Sequence, residues 1–542
     1  MCKIIIFARK IVIQNLIFLN NMKLTRLLTL FFPILMTSCV SSKDGSAIRN
    51  YINELKNQYP IPEMSQAEMY ADFDTFTSIM VRCNPQHLVR KKATGYDMVA
   101  EMKAQRVYVE SCENTVDFIK LLEKCLALSL DPHCTFGGNT VWHYKYTFYK
   151  KEIEMHGITD RDFGINFHYI SDIYRKERAI INLIYIQGKY FLKHTTHFFN
   201  GTDTIVAPAG TELLSFNQQP IGNIQSVPTN WYSCWDFDKK MYYNTMLYVT
   251  NPQNSISLKE NGTIKECAFT EFSQIKRDIE EKGYLTKWIE KDSVIYITIP
   301  AMNYYSTWLK QLKSELLQYK KKPIRAVIVD IRDNWGGNDN TWIEVLGMVS
   351  NTAIEFPYHY ICTMDDEVIK RVMPEDKNLV LEQETSKSEV EYIDSQHVFR
   401  LRTEGTNVIK NHKKNLGYEG TIYVLVDEGV YSSAGAFKSL CTKTDRIKTI
   451  GVPTGKFLGA GLNPSVFMLP NSRLIFRMEL VLDATGVTKA EDFYHDHVNY
   501  PFTPSIEYYK YWYDPARPYN IDENTMYEHD EVFKKALEII RE

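Results

Sequence analysis

The chain has 542 residues, of which 44% are hydrophobic and 24% are charged, a balance typical of a folded globular protein rather than a disordered one. Its formal net charge is −3 at pH 7 and it contains no long basic run, which argues against nucleic acid as a partner. The length exceeds that of one ordinary domain, so we expect roughly two to four domains.

The amino-terminal residues follow the layout of a secretion signal. Lys23 and Arg26 form a short positive segment, Leu27 to Met36 form an apolar one, and small residues then lead to Cys39. About ten apolar residues are too few to span a bilayer, which disfavours a transmembrane anchor as the alternative. The stretch LMTSC resembles a bacterial lipobox, and this resemblance implies that residues 1–39 are a signal peptide whose Cys39 is lipidated. We therefore expect an exported bacterial lipoprotein, anchored to a membrane on its periplasmic or cell-surface face.

Residues 40–140 are expected to form a helical domain. From Thr115 to Leu130 apolar residues recur at intervals of three to four, which is the spacing of a helix with one buried face. Pro132 and a pair of glycines then end this pattern.

The cysteines indicate neither a metal site nor a redox site. Eight of them follow Cys39 and none forms a CxxC pair, so a zinc ribbon and a dithiol motif are not predicted. Disulfides are compatible with export, but the sequence does not pair these residues. Most are predicted to be small core residues.

Residues 141–285 are expected to form a β-rich domain, because short alternating runs are separated there by turn residues. The segment Ala209 to Ile221 resembles a segment of PDZ domains, with Asn217 at the matching asparagine and Thr211 in place of the usual aspartate. This resemblance implies a PDZ-like module that binds a chain terminus by strand addition, and a generic β module is the alternative. Phe163 to Phe167 is predicted to be a plain strand rather than a carboxylate-binding loop.

Residues 286–542 alternate strand-like and helix-like segments, which predicts an α/β core. Arg325 to Ile331 is a nearly continuous apolar run, as expected of a buried strand. A loop with two glycines follows it, and a helix is predicted from about Thr341. A second strand, TIYVLVD, is followed by a predicted helix from Ser433 to Thr442. The chain as a whole is thus expected to be a multidomain α/β protein.

Two adjacent serines occupy the predicted junction between this second strand and its helix, in the stretch IYVLVDEGVYSSAGAF. The first amides of a helix are preorganised hydrogen-bond donors for an oxyanion, so a serine there is well placed to attack a carbonyl. Serine is also a favoured helix N-cap. The local pattern alone favours the capping role.

Further motifs favour catalysis. Asp330 to Gly337, DIRDNWGG, resembles the D-L-R-x-N-x-G-G loop of the tail-specific, or C-terminal processing, serine peptidases, whose relatives include the tricorn core and interphotoreceptor retinoid-binding protein. Ser433-Ala434-Gly435 resembles the S-A-[SG]-E element of that family, with Ser433 at the nucleophile position. The remaining matches occur in the family's order, at Leu130 to Thr135, Ile450 to Lys456, Leu469 to Ser472 and Pro504 to Ile506. The resemblance covers nearly all of the mature chain and implies a serine peptidase core with a ClpP/crotonase-like fold.

The resemblance offers two candidate bases for Ser433. His133 matches the histidine of tricorn-like members, and an imidazole titrates near neutral pH as a general base should. Lys456 lies near the lysine of the processing peptidases, which acts as a base once desolvation lowers its pKa. A spacer residue of the family is missing here, which moves Lys456 onto a glycine position and favours His133. No third catalytic group is assigned.

The same resemblance implies that Gly336 or Gly337, together with the amide of Ala434, stabilises the oxyanion. We expect a peptide or unfolded protein as substrate, and no metal or organic cofactor, because serine acyl transfer needs none.

Three positions depart from the family pattern. Ala436 replaces a glutamate, Ser505 replaces an aspartate and Pro132 replaces a glycine. These departures keep open an alternative function, in which a catalytically degenerate lipoprotein binds peptides without cutting them.

Overall fold

The structure is a computed structural model, and its described residues belong to one compact unit that spans residues 33–542. Among the residues that the structure describes, no helix has both the length and the apolar character needed to cross a membrane. Cys39 and Lys456 lie outside the described residues, as does the whole of 1–49. The structure describes residues 50–51, 53–136, 150–168, 179–228, 231–249, 251–275, 283–304, 306–357, 359–363, 365–372, 379–382, 398–403, 406–453, 464–485, 487–494, 498–517 and 522–542.

The amino-terminal region is helical. Its first long helix begins with a capping box, in which Glu68 N donates to the Ser65 hydroxyl and the Glu68 carboxylate accepts from Ser65 N at 2.8 Å. Phe76 of this helix is fully buried and packs edge-on against Phe476, with ring centroids 5.1 Å apart. The helical region thus rests on strands from late in the chain. Its elements are α1 (Gln66–Cys83), α2 (Gln86–Thr94), α3 (Met98–Ala104), a 3-10 turn (Gln105–Val109), α4 (Thr115–Ala127) and β1 (Thr135–Phe136).

The helical region extends further than the sequence predicts. Residues 150–168, which we expected at the start of the β-rich domain, form α5 (Lys150–His156) and α6 (Asp160–His168). The predicted strand from Phe163 to Phe167 is therefore wrong. Phe163 and Phe167 are four residues apart, both are buried, and their rings stack with centroids 6.4 Å apart on one face of the helix.

A β-rich region follows, as predicted. Its main sheet has the order β10-β2-β3-β6-β11-β12, and a smaller sheet has the order β13-β4-β5. Asn217 and Gln218 both have positive φ, 48° and 66°, as the turn of a tight hairpin requires. The elements are β2 (Ala179–Ile186), β3 (Lys189–Leu192), β4 (Thr195–Phe199), β5 (Thr204–Ala207), β6 (Glu212–Phe216), β7 (Gln219–Pro220), α7 (Ile221–Gln225), β8 (Cys234–Asp236), β9 (Met241–Tyr243), β10 (Met246–Val249), β11 (Asn254–Glu260), β12 (Thr263–Phe269) and β13 (Glu271–Ile275).

The α/β core begins with β14 (Leu285–Ile289), a 3-10 turn (Glu290–Asp292), β15 (Val294–Thr298), α8 (Ser306–Tyr319) and β16 (Ala326–Asp330). All five residues of β16 are buried, as the continuous apolar run predicts. At its end Arg332 is fully buried and donates to the carboxylates of Asp330 and Asp530, which ties the last helix of the chain to the core. Next come α9 (Asn340–Val349), β17 (Ile354–Pro357), β18 (Tyr360–Thr363), α10 (Asp366–Val372), β19 (Leu379–Glu382), β20 (Val398–Thr403) and β21 (Thr406–Ile409).

The core sheet has the order β14-β15-β16-β22-β23-β27, and β15, β16, β22, β23 and β27 run parallel. Parallel neighbours end at the same edge of a sheet, so the loops after β16 and β22 meet there. The remaining elements are β22 (Ile422–Val426), α11 (Ser433–Ser439), a 3-10 turn (Leu440–Thr442), β23 (Ile447–Gly451), β24 (Ser465–Met468), β25 (Ile475–Met478), β26 (Val481–Asp483), a 3-10 turn (Ala490–Phe493), β27 (Tyr500–Pro501), α12 (Ile506–Trp512), α13 (Glu523–His529) and α14 (Glu531–Arg541).

Candidate active site

Two loops meet at the carboxyl edge of the core sheet. The glycine loop (residues 331–338) follows β16, and the serine loop (residues 427–433) follows β22 and ends where α11 begins. Gly336 has φ 99°, and a Cβ on it would lie 2.6 Å from the Tyr431 carbonyl oxygen and 2.7 Å from Ser432 Cβ. Only glycine permits so close an approach in this left-handed conformation.

Asn334 fixes the glycine loop against its neighbours. This residue is fully buried, and its side-chain oxygen accepts a hydrogen bond from Gly336 N at 2.8 Å. Its side-chain nitrogen donates to the Ile299 carbonyl at 2.8 Å, and its own carbonyl accepts from Tyr431 N at 3.1 Å. One asparagine therefore joins the core sheet, the glycine loop and the serine loop.

His133 reaches the serine loop from the amino-terminal helical region. It lies just before β1, which pairs antiparallel with β25 and so fixes this segment beside the core. His133 Nε2 lies 3.0 Å from the hydroxyl oxygen of Ser432. This is the separation expected of a base and the nucleophile that it activates.

Ser433, the predicted nucleophile, does not face His133. It is the first residue of α11, and its hydroxyl is buried near the Asp339 carboxyl without hydrogen-bond geometry to any described group. Ser432 instead has φ 54° and ψ −125°, a strained conformation that places its side chain opposite His133. The structure thus brings the hydroxyl of Ser432, rather than that of Ser433, to His133, because the two side chains leave the strand-to-helix turn in different directions.

Glu479, which the sequence analysis did not single out, contacts the other ring nitrogen of His133. It follows β25, and its Oε1 lies 2.6 Å from His133 Nδ1, an ion-pair contact that lacks straight hydrogen-bond geometry. Its side chain is 1% exposed, and a carboxylate so deeply buried needs a partner. The available sequence signal was a single acidic residue within the apolar run LIFRMELVL.

A second carboxylate, that of Asp131, also lies close to His133. Asp131 Oδ1 accepts hydrogen bonds from the Tyr431 hydroxyl at 2.5 Å and from His133 N at 2.9 Å. Asp131 Oδ2 accepts from Gln86 Nε2 at 2.6 Å. The distance from Asp131 Oδ1 to His133 Nδ1 is 3.8 Å, so Asp131 acts on the ring mainly through charge.

These charges set the protonation of the site. Burial lowers the pKa of His133, but Glu479 and Asp131 outweigh burial, so the pKa lies above its ordinary value of 6.5. Burial raises the pKa of Glu479, and His133 only partly offsets this. The pKa of Asp131 is lowered, since His133 and Tyr431 outweigh the effect of its burial. Imidazolium is thus well stabilised beside Ser432.

The predicted oxyanion donors are only partly available. The Gly336 amide already donates to Asn334 Oδ1 at 2.8 Å, and the Ala434 amide donates to the Tyr431 carbonyl at 3.1 Å. Within the described ranges, the amides of Gly337 and Ser433 have no protein acceptor. Among the described residues, the N–H groups of Gly337 and Ser433, rather than those of Gly336 and Ala434, are therefore left without a protein acceptor.

Three side chains at this site could also hold a metal ion. One ligand atom from each of Asp131, His133 and Glu479 lies within 4.8 Å of the others. The same atoms already contact one another and Tyr431. Arg477 adds a positive charge that acts on His133 and Glu479. This environment favours a proton over a metal cation.

Comparison with known proteins agrees with the geometry. Residues 293–486 match the sequence model of peptidase family S41, a range that contains the glycine loop, the serine loop and Glu479. Residues 293–486 therefore form a peptidase family S41 domain, and this match supports a serine-type peptidase of the tail-specific or C-terminal processing kind that the motifs resemble.

The solved structure of mature CPAF has a similar fold. Mature CPAF aligns over 88% of this chain and 98% of its own, with 13% identity and a TM-score of 0.51. The photosystem II D1 C-terminal processing protease aligns over 81% of this chain and 94% of its own, with 12% identity and a TM-score of 0.36. The sequence has no significant match among curated proteins.

Proposed function

We propose that the protein is an exported, lipid-anchored serine endopeptidase that cleaves unfolded or tail-exposed proteins, with Ser432 as its nucleophile. The distance of 3.0 Å between His133 Nε2 and Ser432 Oγ carries this proposal. His133 is the base and Glu479 its orienting acid. The amides of Gly337 and Ser433 hold the oxyanion.

In the first step, His133 Nε2 takes the proton from Ser432 Oγ as this oxygen attacks the carbonyl carbon of the peptide bond. The carbonyl oxygen becomes an oxyanion, which the amides of Gly337 and Ser433 stabilise. Glu479 stabilises the imidazolium at the same moment. His133 then gives its proton to the leaving amine nitrogen, the C–N bond breaks, and Ser432 remains acylated.

In the second step, water attacks the acyl-enzyme. His133 Nε2 takes a proton from the water, and the new tetrahedral intermediate collapses to a carboxylic acid product. Ser432 Oγ leaves and regains its proton from His133. Every proton transfer uses one nitrogen atom, so this scheme needs neither Lys456 nor a metal ion.

The adjacent serines provide a matched test. We expect Ser432→Ala to abolish cleavage of casein, and Ser433→Ala, which removes the neighbouring hydroxyl, to retain measurable turnover. The reverse result would show that the nucleophile is misassigned. His133→Ala should cost about two to four orders of magnitude in rate, whereas Lys456→Ala should cost far less if His133 is the base. Dialysis against EDTA should leave turnover unchanged.

The finer features of the proposal have separate support. The lipobox-like stretch before Cys39 supports the anchor and the export. The test is fatty-acid labelling of the wild type and of Cys39→Ser, and equal labelling would exclude this anchor.

The positive φ of Asn217 and the antiparallel sheet around it support the PDZ-like module. The parallel strands β15, β16, β22 and β23 support a ClpP/crotonase-like core.

A degenerate peptide-binding lipoprotein is the second candidate, motivated by the departures at Ala436 and Ser505. Ser505 nevertheless caps α12, accepting from Tyr508 N at 3.3 Å, and its backbone amide donates to Glu531 at 2.8 Å. The serine therefore performs the capping role for which aspartate is also suited. Peptide that is bound tightly yet remains intact after long incubation with the wild type would favour this candidate.

A further inference from the structure

Asp427 joins the glycine loop to the serine loop at a point away from their contact at Gly336. It follows β22 as the first residue of the serine loop, and it is only 4% exposed. Its Oδ1 atom accepts hydrogen bonds from the amide of Asp333 at 2.7 Å and from the amide of Gly429 at 2.9 Å. One side-chain oxygen therefore binds the backbone of both loops, and we call these two hydrogen bonds the Asp427 bridge.

The backbone around this bridge is closely packed. A Cβ on Gly429 would lie 2.6 Å from Asp333 Cα and 3.1 Å from Asp427 Oδ1, so the two loops are in direct contact there. Asp333 has φ 59°, a left-handed conformation that is uncommon for a residue with a side chain and persists where the surroundings impose it. The hydrogen bond from its amide to Asp427 is one of the constraints that impose it.

Asn334 connects the Asp427 bridge to the nucleophile. It directly follows Asp333, and its carbonyl accepts a hydrogen bond at 3.1 Å from the amide of Tyr431, the residue before Ser432. Its side-chain oxygen accepts from the amide of Gly336 at 2.8 Å, and a Cβ on Gly336 would lie 2.7 Å from Ser432 Cβ. A displacement of the glycine loop at Asp333 would therefore change where this loop lies relative to Ser432.

We propose that Asp427 is a positioning residue for the peptidase reaction, because its side-chain oxygen joins the two loops and so fixes the glycine loop relative to Ser432. The proposal rests on the proposed function, in which Ser432 is the nucleophile. Both partners in the bridge are backbone N–H donors. The role therefore requires an acceptor oxygen at this position and does not require a negative charge.

The surroundings of Asp427 oppose a negative charge on it. Burial and the charges of Glu428 and Asp333 raise its pKa to about 7, although the two accepted amide N–H groups lower it. Above that pH a third carboxylate joins Glu428 and Asp333 where the two loops meet. Since burial and repulsion outweigh the two hydrogen bonds, ionisation favours separation of the loops, and kcat should decline as pH rises above about 7.

The other ionisable groups of this region do not supply a free positive charge to Asp427. Three phenols on α12 and directly after it interact with Asp427, and their pKa values are raised well above the ordinary value, so they are neutral near pH 7: Tyr508, Tyr509 and Tyr513. Arg332 donates to the carboxylates of Asp330 and Asp530. Lys193 stacks on the Tyr513 ring, 4.1 Å from its centroid.

Two replacements separate the acceptor oxygen from the charge. Asp427→Asn keeps an oxygen acceptor and loses the ionisation, whereas Asp427→Ala loses both. With casein as substrate at pH 7, Asp427→Ala should lower kcat about tenfold to a hundredfold with little change in KM, the cost of a displaced catalytic loop. Asp427→Asn should keep a kcat close to that of the wild type. Between pH 7 and pH 9 the kcat of the wild type should fall, and that of Asp427→Asn should not.

Asp72→Ala is a matched control for the loss of a buried aspartate. Asp72 is fully buried and also accepts two backbone amides of a distant loop, from Asn471 at 3.0 Å and from Ser472 at 2.7 Å. This variant should lose stability in urea unfolding and keep its kcat. Hydrogen exchange followed by mass spectrometry gives a readout without catalysis. Exchange in residues 331–338 and 427–433 should rise in Asp427→Ala, and it should stay unchanged in Asp427→Asn and Asp72→Ala.

Three results would overturn the positioning role: a wild-type kcat in Asp427→Ala, a loss of kcat in Asp427→Asn as large as in Asp427→Ala, or an alkaline decline that persists in Asp427→Asn. If Asp427→Ala does not fold, the pH profile of Asp427→Asn still decides. Absence of casein cleavage by the wild type would refute the proposed function alone, whereas unchanged exchange in both loops of Asp427→Ala would refute the Asp427 bridge alone.

Discussion

Replacement of Glu479 by glutamine tests the electrostatic support of His133. Glu479 Oε1 lies 2.6 Å from His133 Nδ1, so at an effective dielectric constant of about 20 the pair of charges in the imidazolium state is worth up to about 6 kcal/mol. Asp131 remains in the variant, and the glutamine dipole replaces part of the attraction. We therefore expect a net loss of about 3–5 kcal/mol, which corresponds to roughly a hundredfold to several-thousandfold lower kcat.

The pH dependence supplies a sharper readout than the rate. His133 is a base only when neutral, so kcat/KM rises with pH through its pKa, which the two carboxylates hold above the ordinary value. Without Glu479 this pKa falls, and the acid limb of the profile should move to lower pH. KM should change little, because Glu479 contacts Nδ1 of the His133 ring, whereas Ser432 and the substrate lie on the Nε2 side.

The assay is the initial rate of peptide cleavage between pH 4 and pH 9, and each variant is checked for folding by thermal melting. Glu344→Gln is a matched control, since Glu344 lies 3.0 Å from His412, another histidine–carboxylate pair. That variant should leave the profile unchanged. If Glu479→Gln lowered kcat but kept the acid limb in place, Glu479 would not act through the pKa of His133.

Three further changes test the fold around the site. Gly336→Ala should abolish turnover and destabilise the protein by about 1–3 kcal/mol, measured by urea unfolding, whereas Gly201→Ala, with φ 93° but nothing within 4 Å of its added Cβ, should remain active. Phe76→Ala should cost about 3–5 kcal/mol because Phe76 is fully buried, and Val107→Ala, at an exposed residue, should stay within about 0.5 kcal/mol; similar losses for both would contradict the packing. Burial, together with neighbouring carboxylates, raises the pKa of Asp427 to about 7. The folded protein therefore keeps a proton that the unfolded chain loses near pH 4, and stability falls as pH rises between these values. Asp427→Asn should flatten that fall between about pH 4 and about pH 7, and an equally steep fall would rule out Asp427 as its source.

The sequence by itself determined the features that depend on local periodicity and backbone freedom. The apolar run at Ala326–Asp330 became a buried strand, and the glycine pair after it became a tight loop because only glycine tolerates the close contact at Gly336. The ordered motifs also identified the peptidase family. Those signals are local, so they can be recognised in the sequence without knowledge of the packing.

Only the tertiary structure decided which groups meet. Ser432 and Ser433 are equivalent as a sequence pattern, and the strained turn before α11 alone directs Ser432 toward His133. Glu479 joins the site because β1 pairs with β25, a contact between distant parts of the chain that no local pattern records. Asn334 likewise accepts a hydrogen bond from the Gly336 amide, so packing and not sequence decides that this amide is occupied. Side-chain direction at a turn and long-range strand pairing are set by packing, and local sequence constrains neither of them.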